Sequence, residues 1–304
     1  MKKREKHLTL FIFLFPAVLL YAVFFVFPMA QAFYIAMFSW RGVSMNKTYV
    51  GLENFSKLVG FHTEHGRLTP NDDVFWQSIG HNLTFMVVSL AVVIPLALFF
   101  SFVLSRRVRG AQFFRAVYLF PNIISIVAIA ALWQFVYLPG HGLLDAVIGR
   151  LSGEAAANPW LGSASTALPA VIATNIWYSL GFYIVLLLAG VQSIPRSFYE
   201  AAEIDGAAAW QQFRHVTLPL LWEVLKLAVV YLIIHTLGVF SLVWVMTEGG
   251  PGSHTETLLT YLYRKAFRDS EFGYATAIGV VTFVLILAIS MASSRLMRRE
   301  TVEL

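Results

Sequence analysis

The stretch whose residue types and spacing are most distinctive runs from Tyr199 to Ala207 and reads Tyr-Glu-Ala-Ala-Glu-Ile-Asp-Gly-Ala. Residues three and four apart are neighbours on a helix, so four residues here are expected to share one face. They are Phe198, Ala201, Ala202 and Asp205. Small side chains beside a carboxylate allow close backbone approach by another molecule. The pattern indicates a surface against which another protein docks.

A short helix over about residues 197–208 is predicted to carry this surface. Pro195 ends the preceding apolar segment, because proline lacks the amide hydrogen that a helix requires. Ser197 and Glu200 have the spacing of a capping box, which predicts that the new helix begins at Ser197. Gly206 then allows the chain to turn.

Three elements of this region together resemble the EAA loop of ABC importer permeases in its carbohydrate-uptake form. They are Glu200-Ala201-Ala202, Asp205-Gly206 and Leu218-Pro219. In that family the loop is the coupling helix, which enters a groove on a separate ATP-hydrolysing subunit. The resemblance implies this role for Glu200, Ala201, Ala202, Asp205 and Gly206. The alternative is an amphipathic connector lying on the membrane surface.

The composition is that of a membrane protein. Of 304 residues, 58% are hydrophobic and 13% are charged, about half the charged fraction of a typical soluble domain. The net charge of +5 does not indicate nucleic-acid binding, because the basic residues stand at the ends of apolar stretches, as in cytoplasmic membrane loops. The absence of cysteine excludes disulfides and thiolate metal sites.

Six apolar stretches are each long enough to cross a hydrocarbon core of about 30 Å. They predict an all-α membrane protein with one transmembrane domain over residues 1–304, which the resemblance implies is a permease domain. The spans are predicted at about 8–38, 83–104, 116–138, 168–191, 218–246 and 274–292. The resemblance adds that the six transmembrane helices form the type I ABC importer permease fold in a bacterial inner (plasma) membrane.

The distribution of basic residues predicts which side the loops occupy. The densest cluster follows the second span and comprises Arg106, Arg107, Arg109 and Arg115, and a second follows the sixth span at Arg295, Arg298 and Arg299. The positive-inside rule places both clusters, and with them the N- and C-termini, in the cytoplasm. Arg264, Lys265 and Arg268 stand in a predicted outer loop and oppose this topology, and Asp269 and Glu271 offset them only partly.

The motifs of catalysis are missing from the sequence. It contains no Gly-x-x-x-x-Gly-Lys-Ser/Thr phosphate loop, no His-Glu-x-x-His zinc motif and no Gly-x-Ser-x-Gly elbow, and its eight histidines lack metal-ligand spacing. We therefore predict a non-enzymatic subunit without a cofactor or metal of its own. No Asp or Glu stands near the centre of a span, which disfavours a stand-alone secondary transporter.

The resemblance implies a set of partners and a substrate class. The partners are a second homologous permease, two ATPase subunits that hold ATP and magnesium, an extracytoplasmic substrate-binding protein and the lipid bilayer, with no nucleic acid. The substrate is a sugar, expected to be a di- or oligosaccharide. Glycerol phosphoesters are the alternative, but an anionic substrate would want an arginine or lysine facing the pathway, and no span carries one at mid-depth.

Two polar residues, His235 and Thr236, interrupt the apolar fifth span. Helical spacing predicts that they share a stripe with Leu232, Val239 and Val243. From composition alone, hydrogen bonds to a neighbouring helix would explain them. The resemblance, counted back from Gly249-Gly250-Pro251, instead implies sugar contacts for His235, Thr236 and Val239. The maltose-type permeases have asparagines at the last two places, so the hydrogen bonding here must differ.

Aromatic residues of the fourth span are candidates to stack on the apolar faces of a pyranose ring. They are Trp177, Tyr178, Phe182 and Tyr183. Phe182 is the position that best matches the family, counted back from Glu200.

Overall fold

The computed structural model describes residues 13–42, 46–64, 66–106, 110–153 and 157–299, without the side chains of residues 111, 112 and 115. Both ends of the chain, predicted to be cytoplasmic, lie outside these ranges, as do the first residues of the predicted first span and Arg107 and Arg109 of the basic cluster. The chain forms two compact units. One contains Met1–Asp73 and Tyr261–Val284, and the other contains Val74–Thr260 and Leu285–Leu304.

The described residues are mostly helical. In chain order the helices are α1 (Phe13–Ile35), α2 (Glu53–Val59), α3 (Asp73–Ser105), α4 (Ala111–Ile123), α5 (Ile126–Val136), α6 (Leu143–Ser152), α7 (Ala167–Ser193), α8 (Arg196–Ile204), α9 (Ala209–Gln212), α10 (Leu218–Leu220), α11 (Trp222–Leu237), α12 (Ser241–Thr247), α13 (Leu258–Tyr263) and α14 (Phe272–Leu296). The strands are β1 (Phe38–Ser39), β2 (Thr48–Tyr49), β3 (Phe61–Glu64) and β4 (Arg67–Pro70), which form two antiparallel pairs, β1 with β2 and β3 with β4.

Four helices within the described part of the chain, α1, α3, α7 and α14, are long and apolar enough to cross a membrane. The number rises to six only if each of two bent helix pairs forms one span. The predicted count of six spans therefore depends on how the bent pairs lie in the bilayer.

The predicted third and fifth spans are not single helices. The third is bent by 105° between α4 and α5, where Ile124 is extended and Pro121, near the end of α4, lacks an amide donor. The fifth is bent by 72° at Leu221. It then ends at Leu237, because the backbone leaves the helix at Gly238 and resumes only in α12.

The second predicted span begins ten residues too late. Helix α3 starts at Asp73, whose carboxylate complements the positive end of the helix dipole. Residues 73–82 lie outside the predicted spans, yet the side chains of Ser78 and Asn82 are buried here. Ser78 donates a hydrogen bond of 2.7 Å to the carbonyl of Val74, so its hydroxyl is satisfied within the helix.

In the unit that contains α1, hydrogen bonds from polar side chains stabilise the segments next to the helices. Asn54 is buried and donates 2.8 Å and 3.0 Å hydrogen bonds to the carbonyls of Ala36 and Phe38, so the chain leaves α1 at Ile35 rather than at the predicted Phe38. Asp72 accepts hydrogen bonds from the hydroxyls of Tyr261 and Tyr274.

Lys265, one of the basic residues that oppose the predicted topology, is paired within the same unit. Its ammonium lies 3.1 Å from carboxylate oxygens of both Asp269 and Glu271. Burial lowers the pKa of Lys265, but the hydrogen bonds to the two carboxylates outweigh it and raise the pKa overall. This pairing offsets the charge of the lysine locally.

The larger unit has two apolar clusters. One joins α3, α7 and α11 around Val93, Tyr183, Leu187 and Leu232, and the other joins α5, α7 and α12 around Ala130, Val171 and Val243. Helices α4 and α7 meet at Gly181, where an added Cβ would lie 1.7 Å from the carbonyl oxygen of Tyr118. Only glycine permits this approach, which fixes the surface that α7 offers to its neighbours.

Candidate coupling helix and substrate face

The helix predicted over residues 197–208 is present as α8, and it is shorter than expected. It begins at Arg196, with Pro195 as the residue before its first turn, and no side chain caps its amides. The capping box of Ser197 and Glu200 is therefore wrong, because a helix that starts one residue earlier places Ser197 inside the first turn. Gly206, at φ 77°, ends the helix in the left-handed region that glycine adopts without strain.

No residue of α8 is buried within this chain. Ile204 is 88% exposed, and Phe198 is also exposed although both side chains are large and apolar. Ala201 and Asp205 are exposed beside them. Exposed apolar side chains on a short helix are typical of a surface that contacts another protein or a membrane.

Ala202 does not fully share the predicted exposed face. It is half-buried, as is Tyr199 three residues earlier, because this side of α8 is turned toward the rest of the chain. The hydroxyl of Tyr199 lies 3.0 Å from that of Thr217. Glu200 and Asp205 are both exposed, but Glu200 also lines a cavity of about 680 Å³ that lies beside α8.

This cavity carries charges of both signs. Its lining includes Arg106 from the end of α3, Arg196 and Glu203 from α8, and Gln212 from α9. It opens between the end of an apolar helix and the coupling helix, so charged groups of α3 and α8 lie side by side. The motif alone did not indicate this arrangement.

A relay of hydrogen bonds connects α3 to the turn after α8. The Nη2 of Arg106 donates to the Oε1 of Gln212 at 3.0 Å, and the Nε2 of Gln212 donates to the carbonyl of Ala207 at 3.2 Å. The guanidinium of Arg106 also lies 4.6 Å from the ring centroid of Phe102. Gln212 was missed in the sequence, where only its proximity to Gly206 could have singled it out.

In α11 the two polar candidates lie on different faces. Thr236 is buried and donates a 2.7 Å hydrogen bond to the carbonyl of Leu232 in its own helix. His235 is exposed. The predicted shared stripe is therefore wrong for His235, since the core packs against the face of Leu232, Thr236, Val239 and Val243, and only these four are buried.

The aromatic candidates of α7 also differ in exposure. Phe182 is exposed, and its ring centroid lies 5.3 Å from that of Tyr231 on α11. Tyr183 is buried, and its hydroxyl has no hydrogen-bond partner among the described residues. Tyr178 is half-buried.

The exposed faces of α7 and α11 thus bring Phe182 and Tyr231 together, with His235 one helical turn beyond Tyr231. We call Phe182, Tyr231 and His235 the substrate face. Sequence reasoning missed Tyr231, which its position four residues before His235 could have indicated.

Asn82 of α3 is a further residue that the sequence did not single out. It is fully buried, and its Nδ2 donates to the carbonyls of Thr236 at 3.3 Å and Leu237 at 3.1 Å. Its Oδ1 accepts a 2.8 Å hydrogen bond from the amide of Leu258. Carbonyls at the end of a helix lack helical partners, so Asn82 satisfies them and fixes the break that follows α11.

Comparison with known proteins identifies the family. A family model described as binding-protein-dependent transport system inner membrane component matches residues 93–301. The probable ABC transporter permease protein YurN of Bacillus subtilis is 35% identical over 92% of this chain and 93% of its own length. The trehalose/maltose transport system permease protein MalF of Thermococcus litoralis is 32% identical over 96% of this chain and 94% of its own length.

A solved structure shows the same fold. A chain of a bacterial ABC transporter involved in the import of the acidic polysaccharide alginate superposes with a TM-score of 0.81, at 23% identity and over 99% of both chains. The chain described here belongs to the family of inner membrane components of binding-protein-dependent transport systems, and it has the type I fold of ABC importer permeases.

Proposed function

We propose that this chain forms half of the pathway by which an ATP-driven importer moves a neutral di- or oligosaccharide across a bacterial inner membrane. The single observation that carries the proposal is α8, an unburied helix with the EAA residues that follows the candidate span α7. ATP hydrolysis, with its magnesium, takes place on two separate ATPase subunits. A second homologous permease completes the pathway, and an extracytoplasmic binding protein delivers the sugar.

The exposed residues of α8 suit the role of a coupling helix. Phe198 and Ile204 provide apolar anchors, and Ala201 lets a partner backbone approach closely. A membrane-surface connector would also expose apolar residues, but the same helix carries Glu200, Glu203 and Asp205, and carboxylates are repelled by an anionic cytoplasmic leaflet. This surface is therefore better suited to a groove on a partner protein than to the membrane surface.

The substrate face suits a neutral sugar. The rings of Phe182 and Tyr231 offer apolar surfaces to a pyranose, and the imidazole of His235 can both donate and accept hydrogen bonds. The basic residue of α11, Lys226, lies 2.6 Å from Glu223 near the start of that helix, so it is neutralised there. A glycerol phosphoester would instead require an unpaired cation at the face.

The proposal is tested with the complex co-expressed with the products of adjacent genes and reconstituted in proteoliposomes. Labelled maltose, labelled trehalose and a labelled glycerol phosphodiester serve as probes. We expect uptake of a sugar that requires ATP on the side of α8 and the binding protein on the other side. Uptake of the phosphodiester alone would establish the alternative substrate class, and uptake without ATP would indicate a secondary transporter. A complex with two copies of this chain and no second permease would contradict the heterodimeric pathway.

A further inference from the structure

Helix α6 exposes a row of large apolar side chains although it lies outside the candidate spans. Leu143, Val147 and Leu151 are 69%, 54% and 83% exposed. They are spaced four residues apart, so they form a stripe along one face of the helix. More than half of each of these side chains is left uncovered by the described chain, and the exposure of large apolar surface to water is unfavourable.

The rotation of α6 about its axis is fixed by Asp145 on the opposite face. The buried carboxylate accepts hydrogen bonds from the amide of Gly140 at 2.8 Å, the amide of Asn158 at 3.0 Å and the indole of Trp160 at 2.8 Å. The hydrogen bond from Gly140 contributes most to holding the pKa of Asp145 below its ordinary value. The hydrogen bonds to Asp145 fix the rotation of α6, so the outward orientation of the apolar stripe is a defined feature of the fold.

The charge on the exposed side of α6 is positive. Arg150 is exposed next to Leu151, and the sole carboxylate in the sequence of the helix is the buried Asp145. An apolar stripe with a flanking arginine matches the boundary between acyl chains and phosphate headgroups. A long arginine side chain can reach the phosphates while its stem covers apolar surface.

Exposed apolar side chains also stand on the neighbouring helix α5, which forms a candidate span only together with α4. Leu132 and Phe135 of α5, and Leu138 just after it, are exposed. Only six residues separate the end of α5 from the start of α6. The apolar stripe of α6 therefore begins a short connection away from an exposed apolar helix of a candidate span.

We propose that α6 lies in the plane of the phospholipid interface, with Leu143, Val147 and Leu151 in the acyl-chain boundary and Arg150 at the headgroup phosphates. The candidate span α7 separates α6 from α8, so this interface is the one on the side opposite the coupling helix. The proposal rests on the membrane placement of α5 and α7 and not on the identity of the substrate.

The absence of cysteine from the chain allows a direct test. Val147→Cys, and as a control Ala164→Cys in the exposed loop before α7, are labelled with an environment-sensitive fluorophore in the full complex. The complex is placed in phosphatidylcholine nanodiscs. Quenching is compared between a nitroxide carried on the lipid acyl chain and iodide in the water.

We expect the lipid-borne quencher to act on the label at residue 147 at least about twofold more strongly than on the label at residue 164, with iodide showing the reverse order. The ratio should not change when the binding protein is added. Iodide access at residue 147 equal to that at residue 164 would overturn the proposal. Protection from iodide that appears only with the binding protein would also overturn it, and would make α6 a protein-docking surface. A failure of sugar uptake would affect neither result, so this test is independent of the proposed substrate.

Discussion

Arg106 and Gln212 are joined by a hydrogen bond of 3.0 Å, which links the end of the long helix α3 to the segment that follows α8. The side chain of Gln212 in turn donates a hydrogen bond to the carbonyl of Ala207, next to Gly206. Movement of α8 against an ATPase would therefore be transmitted to α3 through two side chains. The position of α8 depends on these contacts as well as on its own sequence.

The Gln212→Leu variant tests this relay. Both hydrogen bonds are lost while the buried volume is kept, and the exposed guanidinium of Arg106 can be hydrated instead. A net hydrogen bond contributes about 0.5–1.5 kcal/mol, so we expect a fall of a few degrees at most in Tm. The number of sugars transported per ATP hydrolysed should decrease. Arg106→Lys keeps the charge and one possible donor, so it should retain more coupling than Arg106→Ala. Equal coupling in all of these variants would mean that the relay does not position α8.

Substitution of Gly206 is expected to act through backbone conformation alone. No atom lies within 4 Å of a Cβ built at this residue, so there is no steric clash, but φ is 77°. A residue other than glycine or asparagine pays about 1–2 kcal/mol in the left-handed region. We therefore expect coupled transport to decrease in the order Gly, Asn, Ala at position 206, measured as ATP-driven uptake in proteoliposomes. Transport by Gly206→Ala at the level of wild type would show that the turn tolerates another conformation.

Asn82 is expected to be essential for the break between α11 and α12. Asn82→Ala leaves two carbonyls and the amide of Leu258 buried without this partner. A buried polar group without a partner costs about 1–3 kcal/mol, so the Tm of the purified complex should fall clearly. Ser89 of the same helix supplies the control, because its hydroxyl is buried and has no hydrogen-bond partner among the described residues. Ser89→Ala should leave the Tm almost unchanged, and a similar loss in both variants would assign the effect to α3 packing.

Variants of the substrate face separate contact with the sugar from helix packing. Phe182→Ala and His235→Ala should raise the apparent Kd for the sugar about 3–10-fold, since an aromatic contact contributes about 0.5–1.5 kcal/mol. Assembly and basal ATPase activity should be kept. Thr236→Val is the control, because the threonine hydroxyl is bonded within its own helix. Unchanged sugar uptake in both test variants would show that Phe182 and His235 contribute to helix packing and not to sugar binding.

Tyr183 gives a second test of the same face. Its buried hydroxyl has no hydrogen-bond partner among the described residues, so Tyr183→Phe should be neutral or slightly stabilising. If the hydroxyl meets the sugar in another state of the transport cycle, sugar uptake should fall although the Tm does not. A fall in Tm would contradict the absence of a partner.

The parts of the fold that follow from local chemistry could be predicted. The apolar run of the fourth span was expected at 168–191 and is found as Ala167–Ser193, since the run is continuous and Pro195 stops it. The place of α8 followed from its motif. The turn expected at Gly206 is present, but it ends the helix before the predicted residue 208.

The parts that depend on distant residues could not be predicted. Asn82 lies 154 residues from Thr236, so nothing nearby in sequence showed that this polar residue belongs inside a helix. The half-buried side of α8 is set by contacts such as that between Tyr199 and Thr217, 18 residues further along the chain. The bend at Leu221 was not expected either, because no glycine or proline stands at that residue.

Energy coupling through α8 is tested most directly by a large side chain on its exposed face. Ala201 is the residue to replace, because Ala202, which the motif also suggests, is half-buried and its enlargement would disturb the packing of α8 itself. Ala164→Trp, in the exposed loop before α7, is the matched control.

The measurement is the number of sugar molecules transported per ATP hydrolysed, in proteoliposomes that contain the purified complex with Ala201→Trp. We predict that this ratio falls at least about tenfold, which corresponds to about 1.4 kcal/mol of lost docking, or that the ATPase subunits no longer co-purify. The Ala164→Trp complex should transport as the wild type does. An assembled Ala201→Trp complex with the wild-type ratio would contradict the role of α8 as the coupling helix.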